Sequence, residues 1–272
     1  MRSFLIQLAK LGGSIALQHF RTVDLAQADR KGRSDYVSHV DRRVEDALAT
    51  RIRHRFPDHQ LLGEEAHRER PPVGTPYWVI DPIDGTTNFL RGLPGWAISI
   101  AFVDESGLPR HGVIYDALLD ECYIGERGAG VWINEQRVYS SGCRSLDRAL
   151  VACSLPFRSL DALDDVAAVV CAIQRECDDI RRSGCAALDL AAVATGRVDA
   201  YWELGIYPWD TAAGELLVRC GGGAATDFHG EEGSLLSRRS ILAAASPALH
   251  EQLAQHVFAL APWLTRAPYV DA

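Results

Sequence analysis

Residues 78–89, WVIDPIDGTTNF, constrain the fold more than any other stretch of the chain. An apolar run of strand type leads straight into two aspartates three apart, Asp81 and Asp84, and the segment closes on Gly85, Thr86 and Thr87. Pro82 fixes its own φ and cannot donate to a sheet ladder, so the chain is expected to leave the strand at Asp81 and turn at once. Both carboxylates then reach the mouth of the sheet, where each raises the cost of ionising the other unless a cation compensates. Oxygen-only ligands of this kind suit Mg²⁺ or Mn²⁺. The turn alone leaves a second reading open, in which the two acids only cap the turn and the helix behind it.

Other segments favour the cation. GEE at 63–65 puts Glu64 and Glu65 after an apolar pair, and PWD puts Asp210 at another strand-to-helix junction. A glycine followed by two hydroxyl residues at a helix start offers N–H and O–H donors to an anion, and phosphate fits. Clustered acids beside such donors are the arrangement for metal-assisted phosphoryl hydrolysis. Asp41 is placed to accept a proton through the Thr86 hydroxyl, provided the fold brings the two together.

The 272 residues carry 28 Lys and Arg against 36 Asp and Glu, a formal charge of −8. A broad electrostatic surface for nucleic acid is therefore not expected. The opening MRSFLIQLAKLGGSIALQHF is interrupted by Gln7, Lys10 and a glycine pair, so it reads as an amphipathic helix and not a signal peptide. No run reaches the roughly 18 apolar residues of a membrane span. Seven cysteines without a C-x-x-C pair fit neither a disulfide framework nor a zinc site, and are read mostly as small core residues in a reducing cytoplasm.

Val37, Val40, Val44, Leu48, Ile52 and Phe56 recur at helical steps before Pro57. Strands are expected at 77–80, 96–103, 111–115, 121–124, 131–138 and 149–153, making an antiparallel-rich sheet, with a polar loop at 66–76. Beyond Asp161 helix and strand alternate: a helix, a strand near 178–182, a helix from about Ala186 to Thr195, and a strand at DAYWEL. Ser246-Pro247 opens a last helix. GGGAATD at 221–227 follows a helix and precedes a strand, so it is a helix-ending turn and not a phosphate loop. The change of pattern near residue 145 divides one unit, 1–272, into an N-terminal lobe of about 1–145 and a C-terminal α/β lobe of about 146–272.

The motifs SDYVSHVD (34–41), LLGEE (61–65), WVIDPIDGTTNF and RRSGCAALDLAAVATGRVDAYWELGIYPWDTAAGELL (181–217) together resemble the inositol monophosphatase family in its bacterial branch. The resemblance covers most of the chain. It implies a layered αβαβα sandwich of two sheets, of the inositol monophosphatase and fructose bisphosphatase type, commonly a homodimer. It implies that Glu64, Asp81, the Ile83 carbonyl, Asp84 and Asp210 hold two or three Mg²⁺ ions, with Asp81 shared. Asp41, Glu65 and Thr86 would orient and activate water, and Gly85, Thr86 and Thr87 would bind phosphate. Asp84 and Asp210 would also bind substrate, and Glu203 and the backbone at Ala186 would meet its alcohol half. The implied activity is lithium-sensitive, Mg²⁺-dependent hydrolysis of inositol monophosphate or a similar polyol or sugar phosphate in the cytoplasm, with no nucleic-acid or membrane partner.

Two positions depart from the family pattern: Arg91 precedes Gly92 where histidine is frequent, and Cys185 stands where serine or threonine is common. His54, His59 and His67 lack ligand spacing and read as solvated surface, as does the arginine run at 51–55. The alternatives are a relative acting on histidinol phosphate, fructose 1,6-bisphosphate or adenosine 3′,5′-bisphosphate, and a non-catalytic regulatory binding protein on the same scaffold.

Overall fold

The computed structural model describes residues 1–22, 29–32, 35–37, 39–156, 160–231, 236 and 240–264, with the backbone alone at 29–32 and 35–37. Ser34 and Ser38 of the 34–41 motif lie outside the described residues. The first half of the chain contains α1 (Arg2–Leu17), β1 (Asp29–Gly32), β2 (Asp35–Val37), α2 (His39–Arg55), β3 (Gln60–Gly63), β4 (Tyr77–Asp84) and α3 (Thr86–Leu90). Four antiparallel additions follow: β5 (Ala97–Val103), β6 (Pro109–Asp116), β7 (Glu121–Glu126) and the hairpin of β8 (Gly130–Ile133) with β9 (Gln136–Val138). The second half runs β10 (Leu150–Cys153), α4 (Leu163–Gln174), β11 (Asp179–Arg181), α5 (Ala186–Ala194), β12 (Ala200–Leu204), α6 (Pro208–Cys220), β13 (Ala224–Thr226), β14 (Ser240–Ala244) and α7 (Pro247–Val257).

Strands β3 to β9 form a seven-stranded sheet in sequence order, antiparallel except for the β3–β4 pair. A five-stranded sheet has the order β11-β10-β12-β14-β13, parallel on its β11 side and antiparallel on its β13 side. Alternation along the strands assigns the layers. On β4, Trp78 and Ile80 pack with α1 and α2, whereas Tyr77 and Val79 pack with α5 and α6. On β12, Tyr201 joins that same middle layer, and Ala200, Trp202 and Leu204 pack with α4 and α7. The result is an αβαβα sandwich. Both middle helices are apolar on nearly every side, as a helix covered by two sheets must be: residues 208–218 of α6 are all buried.

Several local expectations are corrected. The strand does not end at Asp81: β4 continues to Asp84 across a bulge, where Asp81 pairs with Ser99 and Asp84 with Ala97. Three residue steps oppose two there, so Pro82 sits where no ladder bond is required of it. The segment 131–138 is two strands, because Asn134 takes φ 54° in the turn between them. Val37 belongs to β2, and the helix starts at His39. His59 is not solvated surface: its ring stacks on Phe56 and Phe102 and accepts the Trp78 indole N–H at 3.1 Å. Ser246 caps α7 by accepting the Leu249 N–H. All seven cysteines are free thiols, of which Cys122, Cys153 and Cys185 are buried. Among the described residues no helix is long and apolar enough to cross a membrane.

Candidate active site

The period of two that turns Tyr77 and Val79 inward also aims Asp81 at the middle layer, and the bulge brings Asp84 to the same place. Residues 208 onward supply the third acid. Pro208 opens α6, and the Asp210 carboxylate accepts the Tyr207 N–H at 2.8 Å, which fixes it at the helix start. One oxygen from each of Asp81, Asp84 and Asp210 lies within 4.8 Å of the other two. Glu64, just past β3, turns into the same cavity of about 280 Å³.

These carboxyl groups are costly to ionise together. Burial first, then the charges of Glu64, Asp84, Asp210 and Asp41, push Asp81 well above the usual carboxylate range. Burial also pushes Asp84 up to about 6, against the Ala187 N–H and the Cys185 thiol, which hold it down, and with Glu64, which raises it further. The donor set is all oxygen, mutually repelling and gathered within one ion's reach, which fits a hard divalent cation of the Mg²⁺ class.

Directly after Asp84, Gly85, Thr86 and Thr87 line the cavity at the start of α3. The Thr86 hydroxyl donates to the Ile83 carbonyl at 3.0 Å, while the Ile83 N–H donates to Asp81 at 3.0 Å, so the turn is braced across its own mouth. Gly85 has φ 86°, and a Cβ there would stand 2.6 Å from the Gly95 carbonyl oxygen. Gly85→Ala combines left-handed strain with overpacking and is expected to lose roughly 2–5 kcal/mol of stability. Chemical denaturation checks this, and an unchanged midpoint would show that the turn relaxes freely.

Further lining residues come from the C-terminal half. Ala186 and Glu203 are among them, and the Tyr201 hydroxyl donates to the Glu203 carboxylate. The two halves are stitched directly. Asp84 accepts the Ala187 N–H at 2.6 Å and the Cys185 thiol at 3.1 Å, and Asn88, braced on the Gly95 carbonyl of its own half, donates to the Ser183 carbonyl at 3.0 Å. The cysteine that departs from the family pattern thus still donates to Asp84 through sulfur. Asp41 and Glu65 behave differently from the other expected residues. Asp41 is wholly buried in the first turn of α2, and Glu65 is partly buried; neither lines the cavity.

Sequence reasoning missed Asp189, Ser183, Ser154, Arg182 and Asn88, all of which line the cavity. Asp189 had a legible signal, being the lone charge in AALDLAAVA. Burial, opposed by the Ser183 hydroxyl at 2.7 Å and helped by Glu203 and Asp84, raises its carboxyl to about 7. Arg182 is the one cationic side chain on the wall among the described residues, and nothing in its local sequence separates it from Arg181.

The chain is similar to known proteins in sequence and fold. Nus factor SuhB of Escherichia coli (strain K12) is 39% identical over 237 residues, covering 87% of this chain and 88% of that protein. The native crystal structure of the extragenic suppressor protein suhB from Bartonella henselae superposes with a TM-score of 0.87 at 33% identity, over 94% of this chain and 97% of the other. Thermotoga maritima IMPase superposes at 0.85 and 31% identity, over 96% and 98%. The sequence pattern of the inositol monophosphatase family matches residues 1–260, a span that includes every wall of the cavity. With the layered sandwich, the clustered acids and this match in agreement, the chain belongs to the inositol monophosphatase family.

Proposed function

We propose that the protein is a Mg²⁺-dependent phosphomonoesterase acting on inositol monophosphate or a similar small polyol or sugar phosphate. The observation that carries this reading is the gathering of Asp81, Asp84 and Asp210 within 4.8 Å, in one cavity with Glu64 and the Gly85–Thr87 turn. Glu64, Asp81, the Ile83 carbonyl, Asp84 and Asp210 are assigned to hold two or three ions, Mg²⁺ first and Mn²⁺ as a substitute. Such ions neutralise phosphoryl charge and make a bound water more acidic.

The remaining work falls to the chain. Gly85, Thr86 and Thr87 receive the phosphate on backbone N–H and hydroxyl groups. Thr86, held by its bond to the Ile83 carbonyl, orients the attacking water. Asp41 and Glu65 act from behind the wall, where Asp41 is close enough for its charge to be felt at Asp81. Glu203, with the Ala186 backbone and the newly found Asp189 and Ser183, accepts or donates to neighbouring hydroxyls of the alcohol half. In this reading the N-terminal lobe supplies most cation ligands and the C-terminal lobe supplies Asp210 and the alcohol end. The chain works as one domain, in a cytoplasmic homodimer inhibited by lithium.

The test is phosphate release from inositol monophosphate, histidinol phosphate, fructose 1,6-bisphosphate and adenosine 3′,5′-bisphosphate, each with Mg²⁺, with EDTA and with added lithium. Inositol monophosphate is expected to be the preferred substrate, with release lost in EDTA and reduced by lithium. A second reading, a regulatory binding protein on this scaffold, is favoured by the name Nus factor carried by the SuhB relatives. The net charge of −8 argues against a broad nucleic-acid surface, but it does not bear on a local macromolecular contact. Failure to hydrolyse any of the four phosphates would replace the first reading with the second.

A further inference from the structure

We infer that Glu45 is a positioning residue for Glu64, and that its buried carboxyl group sets how tightly the site takes a divalent cation. The inference rests on the cation reading of the preceding section. Asp41 and Glu45 lie one turn apart on α2, both with no exposed surface. Glu45 faces the turn that leaves β3: Oε2 accepts the Glu65 N–H at 2.8 Å and Oε1 accepts the Ala66 N–H at 2.9 Å. One carboxyl group thereby pins the two peptide units that directly follow Glu64.

The same turn is tied at its other side. The Gly63 N–H donates to the His67 carbonyl at 2.7 Å, the Glu64 N–H to the Ile80 carbonyl at 3.3 Å, and the Arg68 Nε to the Glu64 carbonyl at 2.8 Å. Gly63 is what admits Glu45, since a Cβ there would stand 2.6 Å from both Cδ and Oε1 of its carboxyl group. Glu64 is thus presented to the cavity from a turn whose backbone is held on both flanks, with Glu45 as the clamp from behind. A cation ligand gains affinity from being held in place before the ion arrives, and loss of such an outer partner usually costs roughly 10- to 100-fold in metal affinity.

Calorimetric titration of the full chain with Mg²⁺, alongside Mg²⁺-dependent phosphate release, separates this role from simple bracing. Glu45→Gln keeps the side-chain shape but replaces one acceptor oxygen with an NH₂ group that cannot accept, so one of the two N–H groups loses its partner. The dissociation constant for Mg²⁺ is expected to rise roughly 10- to 100-fold. Half-saturating Mg²⁺ for turnover should rise by the same factor, with kcat at saturating Mg²⁺ largely kept. Gly63→Ala displaces the carboxyl group from the opposite side and should reproduce the shift, which keeps the test decisive if Glu45→Gln folds poorly. A natively folded variant of either kind with wild-type Mg²⁺ affinity overturns the role of Glu45 alone. A wild-type chain that takes no Mg²⁺ overturns the cation reading, and this inference with it.

Discussion

Asp81→Asn is expected to remove turnover while making the metal-free protein more stable. Asp81 is 1% exposed, and its neighbours Glu64, Asp84, Asp210 and Asp41 all oppose its charge. In the absence of a cation this arrangement is a local destabilisation. The asparagine keeps the carbonyl oxygen that accepts the Ile83 N–H at 3.0 Å, so the bulge retains its internal bond while the repulsion falls. Loss of one electrostatic stabiliser of a transition state typically reduces kcat by about 10²–10³, and on the proposed cation reading Asp81→Asn should meet or exceed that. Scanning calorimetry in EDTA should show a higher Tm, by about 2–4 °C for each kcal/mol of relieved repulsion. Near-normal phosphate release would remove Asp81 from the cation site, and a lowered Tm in EDTA would contradict the electrostatic account.

The second large effect is in pH. Asp84 and Asp189 have folded-state values of about 6 and about 7, both above the ordinary 3.8 of an unfolded aspartate. Between those limits the folded chain holds protons that the unfolded chain has released. The stability these groups contribute is therefore fully present below about pH 4 and is lost as pH rises through 6 to 7. The acids with lowered values, Asp104, Asp120, Glu121 and Asp179, act with the opposite sign and at lower pH, whereas His19, His59, His111 and His250, whose values burial lowers, offset part of the decline as pH rises toward 6.5. On the proposed cation reading, protons and Mg²⁺ compete for the same oxygens. The rise in Tm on adding Mg²⁺ should accordingly be small at pH 5 and large at pH 8. Asp189→Asn should flatten the part of the metal-free profile near pH 7 yet keep the Mg²⁺ response. An equal Mg²⁺ shift at pH 5 and pH 8 would show that the acids are not held protonated by the fold.

What could be read from the chain alone was whatever short-range physics writes into adjacent residues. Helical steps from Val40 to Ile52 gave α2, the Ser246-Pro247 pair gave the start of α7, and the apolar run before Asp81 gave β4, because hydrophobic period and capping act over a few residues. The acids at 64, 81, 84 and 210 stood out for the same reason, each at the end of an apolar segment. Proximity was a different matter. The bulge that carries Asp84 depends on pairing with β5, the ring stack around His59 depends on Phe102, and the bond from Asp84 to Ala187 joins residues 103 apart. Asp189 joins the cavity only because the two sheets close over α5, and Glu45 meets the turn after β3 only because that turn is laid against α2. Local sequence decides which segments are strands and helices and which carry charge. Only the stacking of the layers decides which of those charges share a cavity, since that is a matter of long-range packing and burial, and no short window of residues contains it.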